Sequence, residues 1–148
     1  MIYEKREHER PKVLFDSSML IGVFESKIDL IAEIERVLST KFNPIVLSGT
    51  LAEIREVLQQ SKGGKRRKLL GLALRVAEKF NKLDYFPVDK EEMDDTLLRA
   101  AKDLKAVVAT NDHGLRKRLV SAGIPALFIR QKSHIEVDGD LSSLGAHL

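Results

Sequence analysis

Apolar residues fall into two rhythms along this chain. Short continuous runs read as buried strands: Val13-Leu14-Phe15, Ile45-Val46-Leu47, Ala106-Val107-Val108-Ala109 and Ala126-Leu127-Phe128-Ile129. Between them, apolar residues recur every three or four positions, the spacing of a helix that buries one face. The first strand ends at Asp16, and Ser17 and Ser18 offer caps for a helix through residues 19–24. Ile28, Ile31, Ile34, Val37 and Leu38 line a second helix, which Asn43-Pro44 ends. Thr50 opens a third helix with Leu51, Ile54, Val57 and Leu58 inward; Leu69, Leu72, Ala73, Val76 and Phe80 line a fourth. Tyr85-Phe86-Pro87-Val88 reads as a third strand, which its proline places at an edge or a strand end. Helices over 91–104 and 114–121 flank the fourth strand, and Gly123 closes the second of them.

Strands that alternate with helices predict an α/β fold. The expected form is three-layer α/β/α around a central, mostly parallel five-stranded sheet. One domain spans 12–130. Residues 1–11 form a charged arm, and 131–148 a polar tail that ends in serines and glycine. No internal repeat divides the chain.

Composition narrows the chemistry. With 148 residues the chain is one domain of ordinary size, and it buries roughly 70% of its unfolded surface without staples. It has no cysteine, which excludes disulfides, zinc fingers and thiol catalysis. It has no tryptophan and only 5% aromatics, too few for an aromatic platform that stacks bases. No apolar run approaches the ~20 residues of a membrane span, and the charged first eleven residues lack the apolar core of a signal peptide. These features predict a soluble cytoplasmic protein. Net charge is only +3, so the position of each sign matters more than the total.

In parallel sheets the site lies at the carboxyl ends of strands. Asp16 follows the first strand directly and Asp112 lies just past the fourth. Glu53 sits early in the helix after the second strand. Asp94 and Asp95 begin the helix before the fourth. Each has a plainer role open to it. Thr50-Leu51-Ala52-Glu53 fits a capping box, Asp94 and Asp95 suit the positive end of a helix dipole, and Asp112 or Asn111 suits an N-cap. Asp16 is harder to dismiss, because a carboxylate at the end of an apolar strand needs a partner. Two carboxylates ~4 Å apart repel by about 4 kcal/mol at an effective dielectric of about 20, so a cluster of them calls for a cation. Oxygen ligands without Cys or His suit Mg²⁺ or Mn²⁺. Such ions activate water and stabilise a leaving oxygen in phosphodiester cleavage.

Four segments together carry a resemblance: Phe15-Asp16-Ser17-Ser18-Met19-Leu20, Ser48-Gly49-Thr50-Leu51-Ala52-Glu53-Ile54, Asp94-Asp95-Thr96-Leu97-Leu98-Arg99-Ala100-Ala101 and Val108-Ala109-Thr110-Asn111-Asp112. Over residues 12–130 the chain resembles a PIN-domain ribonuclease. The resemblance implies a PIN-like fold and a metal-dependent endoribonuclease that uses one or two Mg²⁺ or Mn²⁺ ions. It implies Asp16, Glu53, Asp94 and Asp112 as the catalytic and metal-binding set, with Ser18, Thr110, Asp95 and Asn111 around them. The 18-residue spacing to Asp112 favours Asp94 over Asp95 as the ligand. Cleavage would proceed by in-line attack of water and leave a 5′-phosphate and a 3′-hydroxyl. The third and fourth motifs and the Phe128-Ile129-Arg130-Gln131-Lys132 segment resemble archaeal and eukaryotic PIN proteins of ribosomal RNA processing more than VapC toxins. The implied partners are RNA, a second copy of the chain, and either a pre-ribosomal protein or an antitoxin.

Two basic groups are candidates for holding RNA phosphates. Lys62, Lys65, Arg66, Arg67 and Lys68 put five positive charges into seven residues; Arg116, Lys117, Arg118, Arg130 and Lys132 follow the fourth and fifth strands. A solvated surface is the plainer reading of both. His8 and His147 lie near the ends of the chain, His113 adjoins Asp112, and His134 sits in a basic stretch. None supports a Ser-His-Asp arrangement, and no phosphate-binding glycine loop is present. Three other readings compete: a VapC-type toxin ribonuclease, a catalytically silent RNA-binding module, and a receiver or aspartyl phosphatase. The last fits poorly, since Ser18 stands where a phosphatase wants a second aspartate and only Asp89 lies near Val88.

Overall fold

The computed structural model describes Arg6 and residues 9–142. The expected N-terminal arm therefore lies largely outside the described residues, as do His8 and His147. Six strands form one sheet: β1 (Lys12–Phe15), β2 (Asn43–Leu47), β3 (Asn81–Leu83), β4 (Val107–Ala109), β5 (Ala126–Arg130) and β6 (His134–Asp138). Six helices connect them: α1 (Ser17–Ser26), α2 (Leu30–Leu38), α3 (Ser48–Gln60), α4 (Gly64–Ala77), α5 (Met93–Leu104) and α6 (His113–Ser121). The strand order is β3-β2-β1-β4-β5-β6. The first five strands run parallel, and β6 returns antiparallel to β5. The result is the expected three-layer α/β/α PIN-like fold, with one strand more than the five expected.

Strand alternation builds the core. Val13 and Phe15 face a cluster with Leu20, Ile34, Ile54 and Leu70 from α1–α4. Leu14 faces the other side, with Leu97 and Ala100 of α5 and Leu115 and Leu119 of α6. β1 and β4 are buried on both faces, as continuous apolar runs demand. The chain leaves β1 toward β2 on one side and reaches β4 on the other. The topological switch point thus falls between the ends of β1 and β4, where crevices open in such sheets.

Three boundaries differ from expectation. β6 lies in the segment read as a tail. His134-Ile135-Glu136-Val137-Asp138 alternates polar and apolar, and it turns the fully buried Ile135 inward with Val137 packed beside the core. The third strand is Asn81–Leu83 rather than residues 85–88. As a short edge strand it buries little, so it has no apolar run to announce it. Residues 86–91 are instead clamped by Arg99, which donates to the Phe86 carbonyl and pairs with Glu91, leaving Phe86 and Val88 exposed. Finally, α3 begins at Ser48 with Leu47 at its N-cap, so Glu53 lies in the second turn and closes no capping box.

The β6 edge is covered by side chains of α2. The Ile135 N–H donates to Glu33, and Arg36 donates to the Ile135 carbonyl while pairing with Glu33. These bonds occupy backbone groups that would otherwise template another strand. No helix among the described residues is long and apolar enough to cross a membrane.

Candidate active site

Asp16 is where β1 stops and α1 starts. Its N–H completes the sheet by donating to the Ala109 carbonyl at 3.0 Å. Its extended backbone makes it the N-cap of α1, yet its carboxylate does not cap that helix. Instead Oδ2 accepts from Ser18 Oγ and from Thr110 Oγ1, each at 2.7 Å. The residue is only 6% exposed, so these two hydroxyls compensate for much of its lost hydration. Oδ1 takes no protein donor among the described residues and remains available to a ligand.

Thr110, fully buried at the end of β4, also accepts from the Asp112 N–H at 3.1 Å. Asp112 is the N-cap of α6: Oδ1 accepts from Leu115 N–H at 2.8 Å. One carboxylate oxygen thus anchors the helix and the other stays unengaged. Asn111 ties the pieces together. Its N–H donates to Ser18 Oγ, its side-chain amide donates to the Ser18 carbonyl, and its Oδ1 accepts from Ile129 N–H. Gly22 makes room for this clamp, since a Cβ there would stand 2.5 Å from Asn111 Nδ2.

The Asp94-Asp95 doublet separates cleanly. Asp95 turns back along α5, where Oδ2 accepts from Glu92 N–H at 2.9 Å and Oδ1 takes Arg118 at 2.7 Å. The backbone bond and the guanidinium hold its carboxyl below the usual range. Asp94, a helical step away, faces the other carboxylates. Burial first, then the charges of Asp16 and Asp112 and more weakly Glu53, push its carboxyl above its ordinary value against the pull of Arg118. Glu53 is exposed on α3 and accepts from Ser17 Oγ at 2.9 Å. Ser17 is thereby a neighbour of the site that the sequence does not single out. In the sequence it offers only a helix cap, and nothing local connects it to a residue 36 positions away.

All four candidate carboxylates therefore lie toward one end of the sheet, near enough for Asp94 to feel the charges of the other three. Among the described residues, no three acidic or histidine side chains converge on a single metal-sized point. The cleft is an open acidic surface rather than a closed cage. Its all-oxygen donor set fits a small hard dication that keeps part of its water shell.

The basic candidates divide. Arg67 donates to the Leu58 and Ser61 carbonyls and so caps the end of α3. Arg118 pairs with Asp95, and Arg130 with Glu136. Arg116 lies over the Phe128 ring at 3.9 Å, beside Asp138 and against His113 Nδ1. His134 pairs with Glu136. Lys62, Lys65, Arg66, Lys68, Lys117 and Lys132 are exposed, with no ion-pair partner among the described residues.

Known proteins resemble this chain in sequence and in fold. Ribonuclease VapC4 of Methanocaldococcus jannaschii is 35% identical over 130 residues, which cover 86% of this chain and 97% of the relative. Ribonuclease VapC9 of Archaeoglobus fulgidus is 23% identical over 123 residues, 83% of this chain and 86% of the relative. Among solved structures, the PIN domain endonuclease Utp24 superposes with a TM-score of 0.70 at 26% identity, over 88% of this chain and 92% of that one. The family described as PIN like domain matches residues 13–132, a span that holds Asp16, Glu53, Asp94 and Asp112. The chain belongs to the PIN-like domain family.

Proposed function

We infer that the protein is a cytoplasmic endoribonuclease that hydrolyses RNA phosphodiesters at the Asp16–Glu53–Asp94–Asp112 cleft with Mg²⁺ or Mn²⁺. The observation that carries this reading is the unfavourable position of Asp94. A half-buried carboxylate facing three others is costly in water alone and favourable beside a dication. The two relatives named as ribonucleases and the likeness to an endonuclease support the same chemistry.

The four carboxylates would hold one or two such ions, which supply acidity to an attacking water and charge neutralisation to a leaving oxygen. The protein's own part is positioning. Ser18 and Thr110 fix Oδ2 of Asp16 and so aim Oδ1. Leu115 N–H fixes one oxygen of Asp112, and Ser17 fixes Glu53. Asn111 ties the end of β4 to α1 and to β5. The exposed lysines and Arg66 would hold phosphates on either side. In-line attack by water would leave a 5′-phosphate and a 3′-hydroxyl.

Two biological roles divide at this site. Maturation of ribosomal RNA with a pre-ribosomal partner is the first, supported by the motif resemblance and the likeness to Utp24. A VapC-type toxin ribonuclease with an antitoxin partner is the second, favoured by the VapC4 match over 97% of that relative. Cleavage of labelled RNA with Mg²⁺ or Mn²⁺, with Asp16→Asn and EDTA as controls, tests the chemistry. Activity that survives in Asp16→Asn would place the reaction elsewhere. RNA binding without cleavage would leave the silent binding module. Expression with and without candidate antitoxins then separates the roles, since only the toxin role predicts growth arrest relieved by the partner.

A further inference from the structure

Beside the acidic cleft, on the far side of Asn111, lies a cavity of about 350 Å³ between α1 and the end of β5. That volume falls within the ~300–1,000 Å³ of small-ligand clefts. Its walls are unlike the cleft's. Arg116 sits over the Phe128 ring with Cζ 3.9 Å from its centroid, and the same ring meets Arg130 at 4.9 Å, so the guanidinium stands at the cavity wall against an aromatic face. Asp138 and His113 fix the same guanidinium from its edges. Glu25 is the one carboxylate on the wall, and it has no hydrogen-bond or ion-pair partner among the described residues. Gln131 and Lys132 complete the rim from the β5–β6 turn. Both hold left-handed backbone conformations, φ 52° and 56°, where glycine or asparagine would sit more easily. Such strain costs about 1–2 kcal/mol per residue and is kept where the surroundings require it.

We propose that this cavity takes one unstacked guanine of a single-stranded RNA, next to the scissile phosphate. The proposal rests on the reading of the cleft as a ribonuclease site. Unpaired bases stack on guanidinium planes, and Arg116 presents one. The base edge then decides identity. Guanine alone offers two adjacent donors, N1–H and the 2-amino group, to a carboxylate, and Glu25 is free to accept both. Adenine and cytosine pair a donor with an acceptor, and uracil flanks one donor with two acceptors. Against each of these, Glu25 would face an acceptor lone pair. The Gln131 amide suits guanine O6, and Lys132 suits the neighbouring phosphate.

The test uses the whole chain in EDTA, followed by amide NMR during titration with GMP, IMP and AMP. GMP should shift the Gly22, Asn111, Gln131 and Lys132 amides and bind about tenfold more tightly than AMP, the difference expected of hydrogen bonds to a charged group. IMP, which lacks only the 2-amino group, should fall between them. Glu25→Gln should remove the GMP preference while its amide spectrum stays otherwise native. Equal binding of all three nucleotides, shifts confined to the Lys62–Lys68 turn, or no shifts would each overturn the guanine subsite. Cleavage of labelled RNA in parallel keeps the two readings apart. Cleavage without GMP-selective shifts would sink the subsite alone. GMP-selective shifts without cleavage of any RNA would sink the nuclease reading and keep the subsite.

Discussion

Thr110 Oγ1 and Asp16 Oδ2 meet at 2.7 Å across the switch point of the sheet, 94 residues apart in sequence. The hydroxyl also accepts from the Asp112 N–H, so one buried side chain sets the two carboxylates at the ends of β1 and β4. Thr110→Val keeps the shape and removes both bonds. Nuclease activity should fall about 10–100-fold, the usual loss when an outer partner of a metal ligand is removed. A Thr110→Val protein with full kcat would take the hydroxyl out of the mechanism.

Asp94 predicts opposite effects on stability and activity. Its charge is disfavoured by burial and by Asp16, Asp112 and Glu53. Asp94→Asn should therefore melt at a higher temperature than wild type in EDTA, while RNA cleavage is lost. Mg²⁺ or Mn²⁺ should raise the wild-type Tm, because binding adds about 2.7 kcal/mol of stability at a hundredfold excess over Kd. The same ions should leave Asp94→Asn nearly unmoved. Thermal melts with and without metal check both statements, and a variant less stable than wild type in EDTA would contradict the electrostatic account.

Gly22→Ala sets two effects against each other. Alanine gains about 1 kcal/mol of helix propensity over glycine. Its Cβ would press on Asn111 Nδ2, and overpacking of this kind costs about 1–3 kcal/mol. The net expectation is a modest loss of stability in urea unfolding, with a larger loss of activity, because Asn111 holds Ser18 in place. An increase in stability with unchanged activity would show that Asn111 yields without consequence.

The loop before α5 gives a pH dependence. Arg99 first, then Thr96 and the Val88 N–H, hold the Glu91 carboxyl down at about 2, below its usual 4.5. Between those values the unfolded chain binds the proton and the folded chain does not, so stability rises with pH across that window. The Glu91 contribution is complete above the ordinary carboxylate value and is lost as pH falls toward about 2. The stability gap between wild type and Glu91→Gln should therefore be widest near neutral pH and shrink in acid. A gap independent of pH would detach Glu91 from Arg99.

Much of this was readable in one dimension because burial and periodicity are local. β1, β2, β4 and β5 announce themselves as apolar runs, since strands covered on both faces exclude water whatever their partners. Asp16 and Asp112 were legible for a related reason, as acids placed directly where such runs stop. β3 and β6 were not. One is an edge strand too short to need an apolar run, and the other rests on a single fully buried residue, Ile135, whose importance depends on α2 lying across it.

The sequence by itself determined the alternation of strands and helices, the absence of thiol chemistry, and the four candidate acids, of which Asp16, Asp94 and Asp112 stand at strand or helix ends. Tertiary structure alone decided which member of Asp94-Asp95 faces the cleft. That choice depends on Glu92 N–H and Arg118 capturing Asp95, and Arg118 lies 23 residues away. It also decided that Arg67, Arg116, Arg118 and Arg130 hold the protein together while the lysines and Arg66 stay exposed. Residue type places a positive charge on the chain, but only packing decides whether a carboxylate, a carbonyl or an aromatic ring has already engaged it.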